Sequence, residues 1–236
     1  MARERYQQRL ERLREAVVAM GDLVSQQLED AVTAFVACDS TLAKAVIDGD
    51  NEVNRRYLAL EAECLDVITL HQPMLGDLRL VVAAFKIITD LERIGDLAIN
   101  LAQYSLESHQ CTIPDVDFER LTALAQEQVQ RAIDAVANDD TTACLEVVSR
   151  DTELDRRCEA VTGRVLTKIL ASKSTDSVVV CSGQQFETNT AKTEAILADV
   201  LETLILIRDL ERVGDHAVNV AVRAYYALEG DDSLLA

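Results

Sequence analysis

The chain contains no tryptophan, two prolines and eight glycines, and aromatic residues make up only 4% of it. Turn-rich β-sandwiches draw on those residue types for their turns and cores, so that class is excluded. Basic residues are scarce as well: 23 Lys and Arg stand against 41 Asp and Glu, for a net charge of −18. A nucleic-acid binder, or a protein held on an anionic membrane surface, needs a basic face. No nucleic-acid partner is therefore expected, and membrane contact is peripheral at most. What the chain does have is a hydrophobic fraction of 49%, rich in Ala, Val, Leu and Ile. At 236 residues it can bury a sizeable core, and an all-α fold is expected.

Lysine is confined to Lys44, Lys86, Lys168, Lys173 and Lys192, so the surface is acidic and arginine-biased. Such a surface suits a high-salt cytoplasm, where charge repulsion is screened within about 3 Å at 1 M. Cys38, Cys64, Cys111, Cys144, Cys158 and Cys181 form no C-x-x-C pair. They are expected to be small buried hydrophobes in a reducing compartment. The N-terminal segment is charged and amphipathic, without the apolar core of a signal peptide. No run approaches the roughly 20 apolar residues of a membrane span. A cytoplasmic location is expected.

Apolar residues recur at helical spacing through Tyr6, Leu10, Leu13, Val17, Leu23, Leu28, Ala31, Val32 and Phe35, stopping near Cys38. Asp39 or Ser40 caps a second helix carrying Leu42, Val46, Val53, Leu58, Leu65 and Ile68, which ends before Pro73. Gly49 is a weak point inside it. A third helix runs from about Leu75 to Ser108, with Ala84, Ile87, Leu91, Ile94, Ala98 and Leu101 as its buried stripe.

After a linker at Cys111–Asp117 the pattern repeats. Residues 28–39 lie over 129–140, and Asp50–Arg56 over Asp151–Arg157, both shifted by 101. Ile88–Asn100 lies over Ile207–Asn219, shifted by 119, with nine of the thirteen positions identical. The second copy thus carries 18 extra residues, around 172–190, that lack helical period and read as a loop or brief hairpin. The expected architecture is a tandem repeat of two antiparallel three-helix bundles, residues 1–110 and 111–236.

The repeated element is Asp-Leu-Glu-Arg-(Ile/Val)-Gly-Asp. Glu92 and Asp96, like Glu211 and Asp215, stand four apart, so each pair shares a helix face with Cβ atoms about 6 Å apart, on the shoulder of the apolar stripe. The middle helices add Asp50 with Asn54, and Asp151 with Asp155. Like charges at this spacing destabilise a helix by roughly 0.2–0.5 kcal/mol, so a cation is expected to compensate them. That cation is either an arginine, among Arg55, Arg56, Arg93, Arg156, Arg157 and Arg212, or a metal. Carboxylate and amide oxygens suit Mg²⁺, Mn²⁺, Ca²⁺ or iron, with Zn²⁺ a further candidate. Gly95 and Gly214 read as sites of close helix packing.

No P-loop, G-x-S-x-G or dinucleotide fingerprint is present. A di-iron bundle needs Glu-x-x-His pairs, which are missing. His216 has Leu97 as its counterpart and reads as a helix-surface histidine. Two carboxylate-bound metals are able to activate water, but no general base stands out, and the chain is not expected to be an enzyme. A purely structural module acting on another transporter or channel by contact is the remaining alternative.

The doubled Glu-Arg-x-Gly-Asp element in a tandem three-helix repeat closely resembles the PhoU phosphate-signalling family. Further matches are Met20-Gly21-Asp22, the run Leu42–Asp50 leading to Val53-Asn54, and Gln72-Pro73 followed by Gly76-Asp77-Leu78-Arg79. The resemblance covers about residues 6–228. It implies two similar bundles, metal clusters on acidic E/D-x-x-x-D motifs, and a homodimer. It also implies a regulator that restrains phosphate uptake by the ABC-type phosphate transporter and, in bacteria, signals to a sensor kinase. Carried over by position, the metal residues are Asp50 with Asn54, Glu92 with Asp96, Asp151 with Asp155, and Glu211 with Asp215. Asn54 leaves the first site one charge poorer. The composition and the Ile113–Asp117 linker look like members from salt-loving archaea, for which the implied partner is the transporter ATPase subunit, or another phosphate regulator, rather than a kinase.

Overall fold

The computed structural model describes residues 2–107, 117–175 and 186–234. Among these, the chain forms six helices: α1 (Ala2–Ala37), α2 (Ser40–His71), α3 (Gly76–Glu107), α4 (Phe118–Asn138), α5 (Thr141–Thr175) and α6 (Phe186–Glu229). Most of the linker and the centre of the 172–190 stretch lie outside the described residues. The ends of that stretch correct the loop expectation, because α5 runs to Thr175 and α6 begins at Phe186. Once a helix is nucleated, each further residue costs little to add, so strong helical neighbours extend over weak formers.

The repeat is visible in the chain's turns. Cys38 and Asp139 both leave their helix in the left-handed region, each with φ 52°. The next residue caps the following helix: Asp39 Oδ1 accepts from the Thr41 and Leu42 amides at 2.9 and 3.1 Å, and Asp140 Oδ1 from Thr142 and Ala143 at 2.9 and 3.0 Å.

Within each repeat all three helices pack on one another, and the two repeats meet through α3 against α6 and α1 against α4. The core side of α2 is Ala43, Val46, Val53, Leu60, Cys64 and Val67. Leu58 and Leu65 are not in it, being 60% and 52% exposed. Each follows one residue after an inward-facing position, Tyr57 or Cys64, which turns it about 100° away from the core. The cysteine expectation also needs correction. Cys64, Cys144 and Cys158 are buried free thiols, but Cys38 is exposed and disulfide-bonded. Its position in the turn after α1, past the last buried residue of that helix, keeps it out of the core.

At the α1–α4 contact, a Cβ on Gly21 would lie 2.9 Å from Ile133 Cγ1, so glycine permits the close approach. Arg14 reaches across to the C-terminus of α4, donating to the carbonyls of Val136 and Ala137 at 3.2 and 2.9 Å and pairing with Asp139. It thereby satisfies carbonyls that the end of α4 leaves without helical partners.

Gly49 and Gly163 are helical and exposed, and a Cβ added at either would meet nothing within 4 Å. Gly49→Ala and Gly163→Ala are each expected to raise unfolding free energy by about 0.5–1 kcal/mol, since alanine loses less backbone entropy on entering a helix. Denaturant midpoints check this, and an unchanged or lower midpoint would count against open space at these positions.

Candidate metal sites

In α4 the buried stripe Leu121, Ala125, Ala132 and Ala135 is completed by Gln128. In α5, Asp151 lies between buried Val147 and Leu154. Gly214 of α6 faces both: a Cβ there would be 2.5 Å from Leu154 Cδ2, 3.2 Å from Gln128 Oε1 and 3.6 Å from Asp151 Oδ1. The glycine is thus required by close packing, as expected, and the packing is against the acidic site itself. Gln128 Nε2 donates to Asp151 Oδ1 at 3.0 Å and holds that carboxylate in place.

Around this anchor, Asp151, Asp155 and Asp215 converge, each offering a carboxylate oxygen, with all three oxygens within 4.8 Å of one another. Burial first, then Asp151 and Asp215, pushes Asp155 above the ordinary carboxylate range. Burial and Asp151 do the same for Asp215. Glu211 is raised by burial, then by Asp155 and Asp215, so it belongs to the same set. Three carboxylates from α5 and α6 crowd one spot and repel each other, and Glu211 adds its negative charge from α6. Such hard-oxygen donors fit Mg²⁺, Mn²⁺, Ca²⁺ or iron ions.

The first repeat has the same plan with different contacts. A Cβ on Gly95 would be 3.2 Å from Gln27 Oε1 and 3.4 Å from Val53 Cγ1. Burial, then Asp96 and Asp50, raises Glu92, and burial with Asp50 raises Asp96. These carboxylates feel one another's charge but, unlike Asp151, Asp155 and Asp215, do not bring three oxygens within 4.8 Å of one another. Asn54 Nδ2 donates to Asp50 Oδ2 at 2.7 Å.

The arginines make their ion pairs elsewhere, although Arg93 and Arg212 still act on Glu92 and Asp215 at longer range. Arg55 and Arg56 pair with Glu52, Arg157 with Glu153, and Arg212 with Asp209. Among the described residues, neither Glu92 nor Glu211 forms an ion pair.

These shifts tie stability to pH. Asp155, Glu211 and Asp215 have raised values, so folding of the cation-free protein takes up protons. The stability tied to these groups is full below the ordinary carboxylate range near about 4 and is lost as pH rises through the raised values. Cation-free protein is expected to lose this contribution as pH rises from about 4 through the raised values, with saturating Mg²⁺ or Mn²⁺ flattening the loss. Thermal scans with chelator and with cation check this, and parallel pH curves would contradict it.

His216 corrects a second expectation. It is buried, and its Nδ1 donates at 3.0 Å to Asp90 Oδ1 across the α3–α6 seam. Asn219 Nδ2 adds a 3.4 Å bond to the same oxygen, and Arg223 Nε donates to Asp90 Oδ2 at 3.1 Å. The sequence offers no sign of this, because the partner lies 126 residues away on the other repeat. Gln27 and Gln128 also escape a reading by motif. Extending the repeat alignment by one residue, from Leu28 and Val129 back to this matched Gln pair, finds them.

Two three-helix repeats, each bringing carboxylates from its second and third helices to one level, define a tandem-repeat helical protein with paired acidic sites. The PhoU domain family matches residues 17–105 and 118–224, once per repeat. The chain belongs to this family. It is 32% identical over 225 residues to the phosphate-specific transport system accessory protein PhoU of Serratia marcescens, covering 94% of this chain and 84% of that protein. The counterpart from Escherichia coli (strain K12) is 32% identical over 227 residues, with 94% and 85% covered. The crystal structure of PhoU from Pseudomonas aeruginosa superposes with a TM-score of 0.80 at 30% identity, covering 96% of this chain and all of that one.

Proposed function

We propose that this chain is a metal-binding regulator of phosphate homeostasis: a non-catalytic cytoplasmic adaptor that restrains uptake by an ABC-type phosphate transporter through its ATPase subunit. Membership of the PhoU family supports the phosphate role, and the relatives are named as accessory proteins of the phosphate-specific transport system. Among the described residues, no helix is long and apolar enough to cross a membrane, in keeping with a partner of a transporter rather than a transporter. The observation that carries the metal part is the convergence of Asp151, Asp155 and Asp215, none of which forms an ion pair among the described residues.

Metal at the second site is held by Asp151, Asp155, Glu211 and Asp215, and at the first by Asp50, Glu92, Asp96 and the Asn54 carbonyl. Bound metal supplies a positive centre that accepts phosphate oxygens, which lets a very acidic chain respond to an anion. The protein acts as a homodimer. The test is capture of the transporter's ATPase subunit by purified protein with and without phosphate. The quadruple variant Glu92→Ala/Asp96→Ala/Glu211→Ala/Asp215→Ala is run alongside. Phosphate-dependent capture that the variant loses is expected. Equal capture by the variant would leave regulation by contact alone, and no capture by the native chain would remove this partner.

A further inference from the structure

Gln27 is a buried amide with nothing to bond. It is 8% exposed, and both its Oε1 and its Nε2 lack a hydrogen-bond partner. Leaving such a group unsatisfied in the interior costs free energy that a leucine of similar size would not. Its counterpart Gln128 has the same relation to the site: each Oε1 lies 3.2 Å from the Cβ position of the repeated glycine, Gly95 or Gly214. Only Gln128 has its bond, from Nε2 to Asp151 Oδ1 at 3.0 Å.

The difference between the repeats accounts for this. At the position after one helical turn, the second repeat has Asp155, a carboxyl with no N–H donor, and Asp151 takes its donor from Gln128. The first repeat has Asn54, whose amide nitrogen donates to Asp50 Oδ2 at 2.7 Å. Asp50 is satisfied locally, and Gln27 is left without a role.

That arrangement is incompatible with a cation between Asp50 and Asn54. An amide meets a cation through its carbonyl oxygen, never through its N–H₂ group. The Asn54 amide must therefore turn, which takes its donor away from Asp50. We propose that Gln27 is the positioning residue of the first acidic site, exchanging with Asn54 as the hydrogen-bond donor to Asp50 when a divalent cation binds. The first site then acquires the geometry that Gln128 already gives the second. This rests on reading the acidic sets as cation sites. It makes the two sites unequal in kind: the second is pre-arranged, and the first rearranges on loading.

The experiment removes the second site with Asp155→Ala/Asp215→Ala and titrates Mn²⁺ into the first, read by electron paramagnetic resonance. Gln27→Leu in this background is expected to weaken Mn²⁺ binding about tenfold, while cation-free Gln27→Leu unfolds no earlier than its parent. Gln128→Leu in the native chain, by contrast, lowers the cation-free midpoint. Side-chain amide NMR with Mg²⁺ gives a second readout: the Gln27 amide shifts to the hydrogen-bonded range as the Asn54 amide leaves it. Gln27→Met repeats the affinity measurement if the leucine variant folds poorly. Unchanged Mn²⁺ affinity, or a Gln27 amide that does not move on Mg²⁺ binding, would overturn the exchange while leaving the cation reading in place. Absence of any Mn²⁺ at the first site of the parent would overturn the cation reading there, and the exchange with it.

Discussion

Replacing Asp90 by alanine is expected to lower the unfolding free energy by about 3 kcal/mol, whereas the same change at its repeat counterpart Asp209 costs little or stabilises. Both aspartates are buried on the α3–α6 seam, 3% and 8% exposed. Their partners differ. Asp90 receives His216, Asn219 and Arg223. Burial alone would raise its pKa, but the bonds from His216 and Arg223 outweigh burial and hold the carboxyl below the ordinary range. Removing it strands two donors that carry or accept charge in a half-dry interface. Among the described residues Asp209 accepts from Arg212 on its own helix at 3.4 Å and from Asn100 at 3.5 Å, and burial leaves its carboxyl above the ordinary range.

The pH signatures are opposite as well. The stability tied to Asp90 is present above the ordinary carboxylate range and is lost as pH falls through its lowered value. The cost of Asp209 is absent in acid and grows as pH rises through its raised value. Chemical denaturation of Asp90→Ala and Asp209→Ala at several pH values checks both. Equal losses at the two positions would mean that the seam is symmetric, contrary to these contacts.

Gly214→Val is expected to cost about 3 kcal/mol, at the upper end of overpacking in a filled core. The first added carbon already lies 2.5 Å from Leu154 Cδ2, and Leu154, 2% exposed, must shift within the core, where it borders a small pocket with Leu124, Gln128 and Val147. The branches press further towards Gln128 and Asp151, so the second acidic set is displaced along with the core. At Gly95 the nearest atoms are 3.2 and 3.4 Å away. There the gain of roughly 1 kcal/mol in helix propensity offsets most of the crowding, and Gly95→Ala is expected to stay within about 1 kcal/mol of the native chain. Unfolding midpoints decide it. A Gly214→Val protein as stable as the parent would show that Leu154 moves into the neighbouring pocket at no cost.

Much of the fold is legible in the residues themselves. The repeat emerges from near-identity between Ile88–Asn100 and Ile207–Asn219, and helical spacing puts Glu92 with Asp96 and Glu211 with Asp215 on shared faces. Helix boundaries near Asp39 and Pro73 follow from capping and ring constraints. The failures have a common physical form. Which face of a helix is buried depends on neighbours remote in sequence, so Leu58 and Leu65, apolar by type, stand in solvent, and His216 is buried by Asp90 from the other repeat. Gln27 and Gln128 carry no charge and match no metal motif. Their significance lies in their place on a core stripe, which only the packing of α1 and α4 against Gly95 and Gly214 reveals. The disulfide at Cys38 has no local sequence signature, since spacing between cysteines does not determine pairing.

The central claim is that mutually repelling carboxylates at matched levels of the two repeats hold metal. Elemental analysis of protein purified without chelator tests it most directly, comparing the native chain with Glu92→Ala/Asp96→Ala and with Glu211→Ala/Asp215→Ala. Metal is expected in the native protein, most of it lost with the second pair and a smaller share with the first, the site with one carboxylate fewer. Equal metal content in all three proteins, or none in the native chain, would contradict it.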